Sequence, residues 1–135
     1  MMSFSRYLRT ISFIAFILIT LNCNLFKDKD WIIMPARPYE VIIPDTVQLG
    51  QNISFELICE VGNPCYLFSH LDINSEDYDV FVKIYAKLDP HAICIRDADS
   101  IKAIGSYKPP SEGNYNFHFW QSETSSLDTT VVVIK

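Results

Sequence analysis

Three stretches of this chain alternate between apolar and polar residues. Over residues 52–61, Ile53, Phe55, Leu57 and Cys59 fall on one side, with Ser54, Glu56 and Glu60 on the other. Over residues 79–88, Val80, Val82 and Ile84 oppose Phe81, Lys83 and Tyr85. Over residues 113–121, Tyr115, Phe117 and Phe119 oppose Asn116, His118 and Trp120. Successive side chains of an extended strand point to opposite faces, so a period of two predicts strands buried on one side. Shorter runs at 39–43, 46–49, 66–71, 92–96, 100–107 and 129–135 read as further strands. Turn signals separate them, among them Pro44-Asp45, Gly50-Gln51, Gly62-Asn63-Pro64 and Asp89-Pro90, and residues 72–77 read as an acidic loop. No long run at helical period interrupts this series. The expected fold is all-β, an antiparallel sandwich of seven to eight strands.

The N-terminus follows a different pattern. Residues 11–21 are apolar except for Ser12 and Thr20; Arg6 and Arg9 precede them and Cys23 follows. A helix crossing a hydrocarbon core needs ~20 apolar residues, so this run is too short for a permanent span. It is also apolar on every face, unlike an amphipathic core helix. The basic flank, short apolar segment and closing cysteine resemble a bacterial lipoprotein export signal. Thr20 and Asn22 depart from the branched and small residues usual before the lipidated cysteine. The resemblance implies that residues 1–22 form a signal helix that is removed and that Cys23 is acylated. Residues 23–38 then serve as tether and linker, and residues 39–135 as the folded domain. Asn24, rather than Asp, follows Cys23, which by the same resemblance implies an outer-membrane lipoprotein of the cell envelope. Each buried acyl methylene contributes ~0.8 kcal/mol, so several chains hold a soluble domain on a membrane firmly. Lys27-Asp28-Lys29-Asp30 suits a solvated tether, and Pro35, Pro38 and Pro44 suit an extended approach to the first strand.

Processing changes the charge and the cysteine count. The whole chain carries −5; without Arg6 and Arg9, 9 basic residues face 16 acidic ones, a formal charge of −7. Such a domain repels phosphate backbones, which argues against nucleic acid as a partner. It also repels anionic bilayers, leaving the lipid as the membrane link. Acylation of Cys23 leaves Cys59, Cys65 and Cys94. Export permits one disulfide among them. Cys59 is in phase with the buried side of its strand, so Cys65–Cys94 is the favoured pair. Cys59–Cys94 is the runner-up, and Cys59–Cys65 stays open. The Cys-x5-Cys spacing lacks the short knuckle of a zinc site, so neither metal nor cofactor is expected.

Pro44-Asp45-Thr46-Val47-Gln48-Leu49-Gly50-Gln51-Asn52-Ile53-Ser54-Phe55 resembles the first strands of an immunoglobulin-like domain. Glu112-Gly113-Asn114-Tyr115-Asn116-Phe117 and the closing Val-rich segment are similar to its last two strands. The resemblance implies an immunoglobulin-like sandwich in which Tyr115 makes a tyrosine corner, its hydroxyl bonding backbone upstream. Phe117 stands where antibody-type members carry their second core cysteine, so their inter-sheet disulfide is not implied.

Candidate chemistry is sparse. Residues 72–79 are rich in oxygen ligands but lack the glycine and terminal glutamate of an EF-hand loop, which favours a solvated turn over a calcium site. His70, His91 and His118 accompany many serines and acids, but no nucleophile elbow is present. His118 and Trp120 share a strand face; their bland reading is a solvent-facing stripe. Their functional reading is a contact surface for a protein or glycan partner, which Tyr66 would extend. The expected function is therefore a non-catalytic, membrane-anchored binding or envelope-structural module. An exported peptidase inhibitor presenting residues 108–113 is the alternative, followed by a small hydrolase.

Overall fold

The computed structural model describes residues 30–135. The signal segment 1–22, the acylation candidate Cys23 and the tether through residue 29 lie outside the described residues. Eight strands follow: β1 (Ile32–Ile42), β2 (Thr46–Gln48), β3 (Ile53–Val61), β4 (Leu67–Glu76), β5 (Asp79–Leu88), β6 (Asp99–Tyr107), β7 (Gly113–Ser122) and β8 (Ser125–Ile134). The protein is all-β, with no helix among the described residues.

The sheet runs in the order β2-β8-β7-β5-β1-β3-β6, and β4 pairs with β5. β1 is the pivot. Its first half, Ile32 to Ala36, pairs with β5, and its second half, from Arg37 to Ile42, pairs with β3. The change of partner turns β3 and β6 over the layer made by β4, β5, β7, β8 and β2. Phe55 of β3 accordingly meets Phe117 and Phe119 of β7 edge-on, at ring-centroid distances of 6.0 and 5.5 Å.

The alternating stretches form the core as expected. Ile53, Phe55, Leu57 and Cys59 of β3, Val80, Val82 and Ile84 of β5, and Tyr115, Phe117 and Phe119 of β7 are all buried. Each large apolar side chain removed from water contributes about 1.5–3 kcal/mol. Gly105 on β6 makes room for the ring of Phe55, its cross-strand partner on β3, and for Leu71 of β4, because a Cβ there would collide with both. The buried Tyr115 hydroxyl donates to the Ser111 carbonyl at 3.0 Å and accepts from the Ser111 N–H at 3.3 Å, the upstream backbone bonding expected of it.

The expectation of a wholly antiparallel sheet is corrected. β5 and β7 run parallel, as do β2 and β8. Parallel neighbours need a crossover between them. β6, in the opposite layer, carries the chain from β5 to β7, and most of the domain separates β2 from β8.

Three local readings also change. Residues 32–38, read as linker, form the first part of β1. Pro35 and Pro38 sit on either side of its change of partner, and a bulge lies between Pro38 and Glu40. Proline donates no ladder hydrogen bond and is tolerated at such irregularities. Residues 72–76, read as a loop, are the second half of β4, whose polar side chains face solvent along a strand paired only with β5. The turn itself is Asp77-Tyr78, with Asp77 at φ 52°. Residues 92–96, read as a strand, lie in the connection from β5 to β6. There the Asp89 carbonyl accepts from the Ala92 N–H at 3.1 Å, and its carboxylate from the His91 N–H at 3.0 Å. These turn bonds replace a sheet ladder.

Candidate functional site

The outward side of β5 and β7 gathers the most chemistry on one surface. The parallel register sets Phe81 opposite His118, and the antiparallel β7–β8 register sets His118 opposite Asp128. The β4–β5 ladder sets Asp72 opposite Lys83 and His70 opposite Tyr85. Since paired residues project to the same face, side chains from four strands converge. The rings of Phe81 and His118 stack at 5.0 Å and those of His70 and Tyr85 at 4.6 Å. Lys83 Nζ stands 4.4 Å from the Trp120 ring centroid and 5.8 Å from that of Tyr85, within cation–π range.

A groove of about 700 Å³ runs over this surface, and Phe81, Lys83, His118, Trp120, Asp72, Asn74 and Asp128 are among the residues that line it. The tight turn at Glu123-Thr124 closes one end. There the Ser122 hydroxyl accepts from the Thr124 N–H at 3.3 Å and bonds the Ser125 hydroxyl at 2.8 Å.

His118 is held from both sides. Its Nδ1 lies 3.0 Å from Asp128 Oδ1 and its Nε2 3.3 Å from Asp79 Oδ1. Partial burial lowers its pKa, but hydrogen bonds to Asp128 and Asp79, together with their charges, outweigh that effect. The imidazole therefore titrates above its ordinary value. The Asn116 amide and then His118 hold Asp79 below the usual carboxylate range. The Ser126 hydroxyl, donating at 2.6 Å, and then His118 do the same for Asp128. Thr130 donates to the Asn116 carbonyl oxygen at 3.0 Å, fixing the amide that serves Asp79. With both ring nitrogens bonded to carboxylates, His118 has none free to take a proton from a serine hydroxyl. The arrangement can stack ring faces on a ligand and accept hydrogen bonds from it.

The sequence-derived candidates separate in space. His118 and Trp120 share this groove. Tyr66 does not join them: it packs against the core and lines a small cavity of about 150 Å³ with Met34, Ala36, Arg37 and Gly62. Cys65 and Cys94 are disulfide-bonded, their Cα atoms 6.0 Å apart. Cys59 is free and buried, and burial pushes its thiol up to about 11, so it is an inert core residue. Cys23 lies outside the described residues. Among those described, no three His, Cys, Asp or Glu side chains converge as metal ligands.

Sequence reasoning missed Phe81, Lys83, Asp79 and Asp128 as members of this site. The signal for two of them was present, since Phe81 and Lys83 oppose the buried residues of β5. Their meeting with His118 and Trp120 depends on a parallel pairing that alternation does not encode. A second cleft, of about 620 Å³, lies beside Arg37, Tyr39, Glu60 and Gln121. The Gln121 amide donates to the Pro38 carbonyl at 3.0 Å within it, and Tyr39 is the one aromatic residue among the described residues that line it.

Compared with protein-family models, curated proteins and solved structures, this chain matches none of them.

Proposed function

We propose that this chain is a lipid-anchored protein of the bacterial cell envelope whose β-domain is a non-catalytic binding module. The observation that carries the reading is the groove over β5 and β7, where Phe81 and Trp120 alternate with the acceptors Asp72, Asn74 and Asp128. Ring faces bury the C–H faces of a sugar, and carboxylate and amide oxygens accept from its hydroxyls. A glycan of the envelope is accordingly the ligand class proposed. The doubly bonded His118 favours binding over proton transfer.

An immunoglobulin-like architecture is part of the proposal. The neighbour order β1-β3-β6 resembles that fold's A-B-E arrangement, and β2-β8-β7 resembles the G and F strands with an added edge. The Tyr115–Ser111 bonding supports the same reading. The β4–β5 hairpin departs from it by setting β5, rather than β4, beside β7.

Two experiments test the function. Purified protein titrated with solubilised envelope polysaccharide should shift its tryptophan emission. Trp120→Ala should weaken binding by at least about tenfold, the loss of one well-packed aromatic contact. Capture of a protein from envelopes, with no response to any polysaccharide, would overturn the glycan assignment. For the anchor, Cys23→Ala should abolish incorporation of labelled fatty acid and release the protein from membranes. Unchanged labelling would refute lipidation at that residue.

A further inference from the structure

The end of the domain nearest the tether carries several exposed apolar side chains. Ile33 of β1, Lys87 of β5 and Leu67 of β4 form one row across the sheet, and Ile33 and Leu67 are 54% and 50% exposed. The Cys65–Cys94 bond clamps the β5–β6 connection beside this row. Cys94 is flanked by Ile93, fully exposed at 102%, and Ile95, at 65%. Trp31 completes the patch, with Lys87 Nζ 5.0 Å from its ring centroid. Soluble domains seldom leave several large aliphatic side chains exposed together, and such patches mark contact surfaces.

The length of chain back to Cys23 indicates what covers this one. Cys23 is eight residues before Trp31, so a fully extended tether reaches at most about 28 Å. If Cys23 is acylated, the nearest apolar phase to this tip is the bilayer that holds it. A tryptophan ring beside a lysine that can reach the headgroups is the pairing favoured at a membrane interface. The acidic domain gives no electrostatic adhesion, so the contact is apolar.

We infer that the disulfide-clamped tip bearing Ile33, Leu67, Ile93 and Ile95 inserts into the interface of the anchoring membrane and orients the domain upon it. The inference rests on the lipid-anchor reading above. The clamp supplies what insertion needs, because a loop held in shape loses less conformational entropy when it enters the interface. Docked in this way, the domain holds its groove off the membrane: six strand positions from Lys87 to Phe81 span about 20 Å. A tethered but undocked domain has no fixed groove height.

The test uses the processed chain acylated at Cys23 in zwitterionic phosphatidylcholine vesicles with brominated acyl chains. A Trp120→Phe background leaves Trp31 as the one reporting tryptophan. Bromolipid should quench Trp31, and added salt should not relieve the quenching. Replacing both Ile93 and Ile95 with Asp should lower the docked-to-undocked ratio at least about tenfold, without lowering the melting temperature. Ile104→Asp, at an isoleucine on β6 that is 75% exposed, should leave quenching unchanged. An acylated chain without Trp31 quenching, or equal quenching in the Ile93→Asp/Ile95→Asp variant, overturns the docking and leaves the anchor intact. Absence of acylation at Cys23 overturns both. Crosslinking of two copies through the tip, in place of quenching, would assign the patch to self-association and overturn docking as well.

Discussion

Strands β5 and β7 present two faces of opposite character. Inward, Val80, Val82, Ile84, Tyr115, Phe117 and Phe119 pack as rings and branched chains, and only the Tyr115 hydroxyl carries a polar bond. Outward, Phe81, Lys83, His118 and Trp120 set each ring against a charged or ionisable neighbour. Inside, exclusion of water gives the stability. Outside, residual contact with water leaves the rings and acceptors available to a ligand. Alternation alone separates the faces, but it does not determine that the outer residues converge.

Substitutions should divide along the same line. Phe117→Ala should have the largest effect, lowering unfolding free energy by about 3–5 kcal/mol in urea denaturation through the cavity it leaves. Phe81→Ala, on the outer face, should cost about 1 kcal/mol or less; equal losses would break the comparison. Reduction of Cys65–Cys94, which closes a loop of sequence separation 29, should cost about 3–4 kcal/mol by freeing the unfolded chain. Parallel melts with and without reductant measure it, and groove binding by the folded fraction should persist. Gly105→Ala should cost about 1–3 kcal/mol, because the new methyl meets the Phe55 ring between the layers.

The outer face should show itself through pH instead. The folded pKa of His118 is raised, so its contribution to stability is fully present below its unfolded value and is lost as pH rises through the folded one. Asp79 and Asp128 are lowered, so theirs is present above the usual carboxylate range and lost as pH falls through their folded values. Melting temperature should therefore peak between the two transitions, and His118→Gln should flatten its decline as pH rises above the ordinary imidazole value. An unchanged slope would remove His118 from the network. The smallest effect is expected on the opposite layer. There Lys102 Nζ meets Glu56 at 2.7 Å on an exposed surface, and Lys102→Ala should not change the melting temperature measurably.

Much of the fold was legible where one strand face is fully buried. Ile53–Cys59 on β3, Val80–Ile84 on β5 and Tyr115–Phe119 on β7 all follow a period of two. Legibility failed where burial is partial. Asp72, Asn74, Ser75 and Glu76 of β4 are exposed, so the segment's composition reads as a loop, and the prolines of β1 hide a strand that changes partner between Ala36 and Arg37. The apolar run at 92–96 read as a strand, yet its apolar residues are the exposed Ile93 and Ile95. Of the groove, His118 and Trp120 were legible from their shared face. Phe81 and Lys83 were not, because their neighbours come from a strand more than thirty residues away, paired in parallel. Tyr66 was read as an extension of the same surface with no facing fixed by the pattern, and the fold packs it against the core instead.

The sequence by itself determined which side chains enter the core, because strand geometry ties facing to position parity. It also limited the cysteines, since the phase of Cys59 aimed that thiol inward. Only the tertiary structure decided which strands became neighbours, which two cysteines met, and that Phe81, His118 and Trp120 share one groove while Ile33, Leu67 and Ile93 share one tip. Local alternation specifies direction within a strand. Adjacency between distant strands is selected by the packing of the whole core, in which each strand's buried face must fit all the others at once.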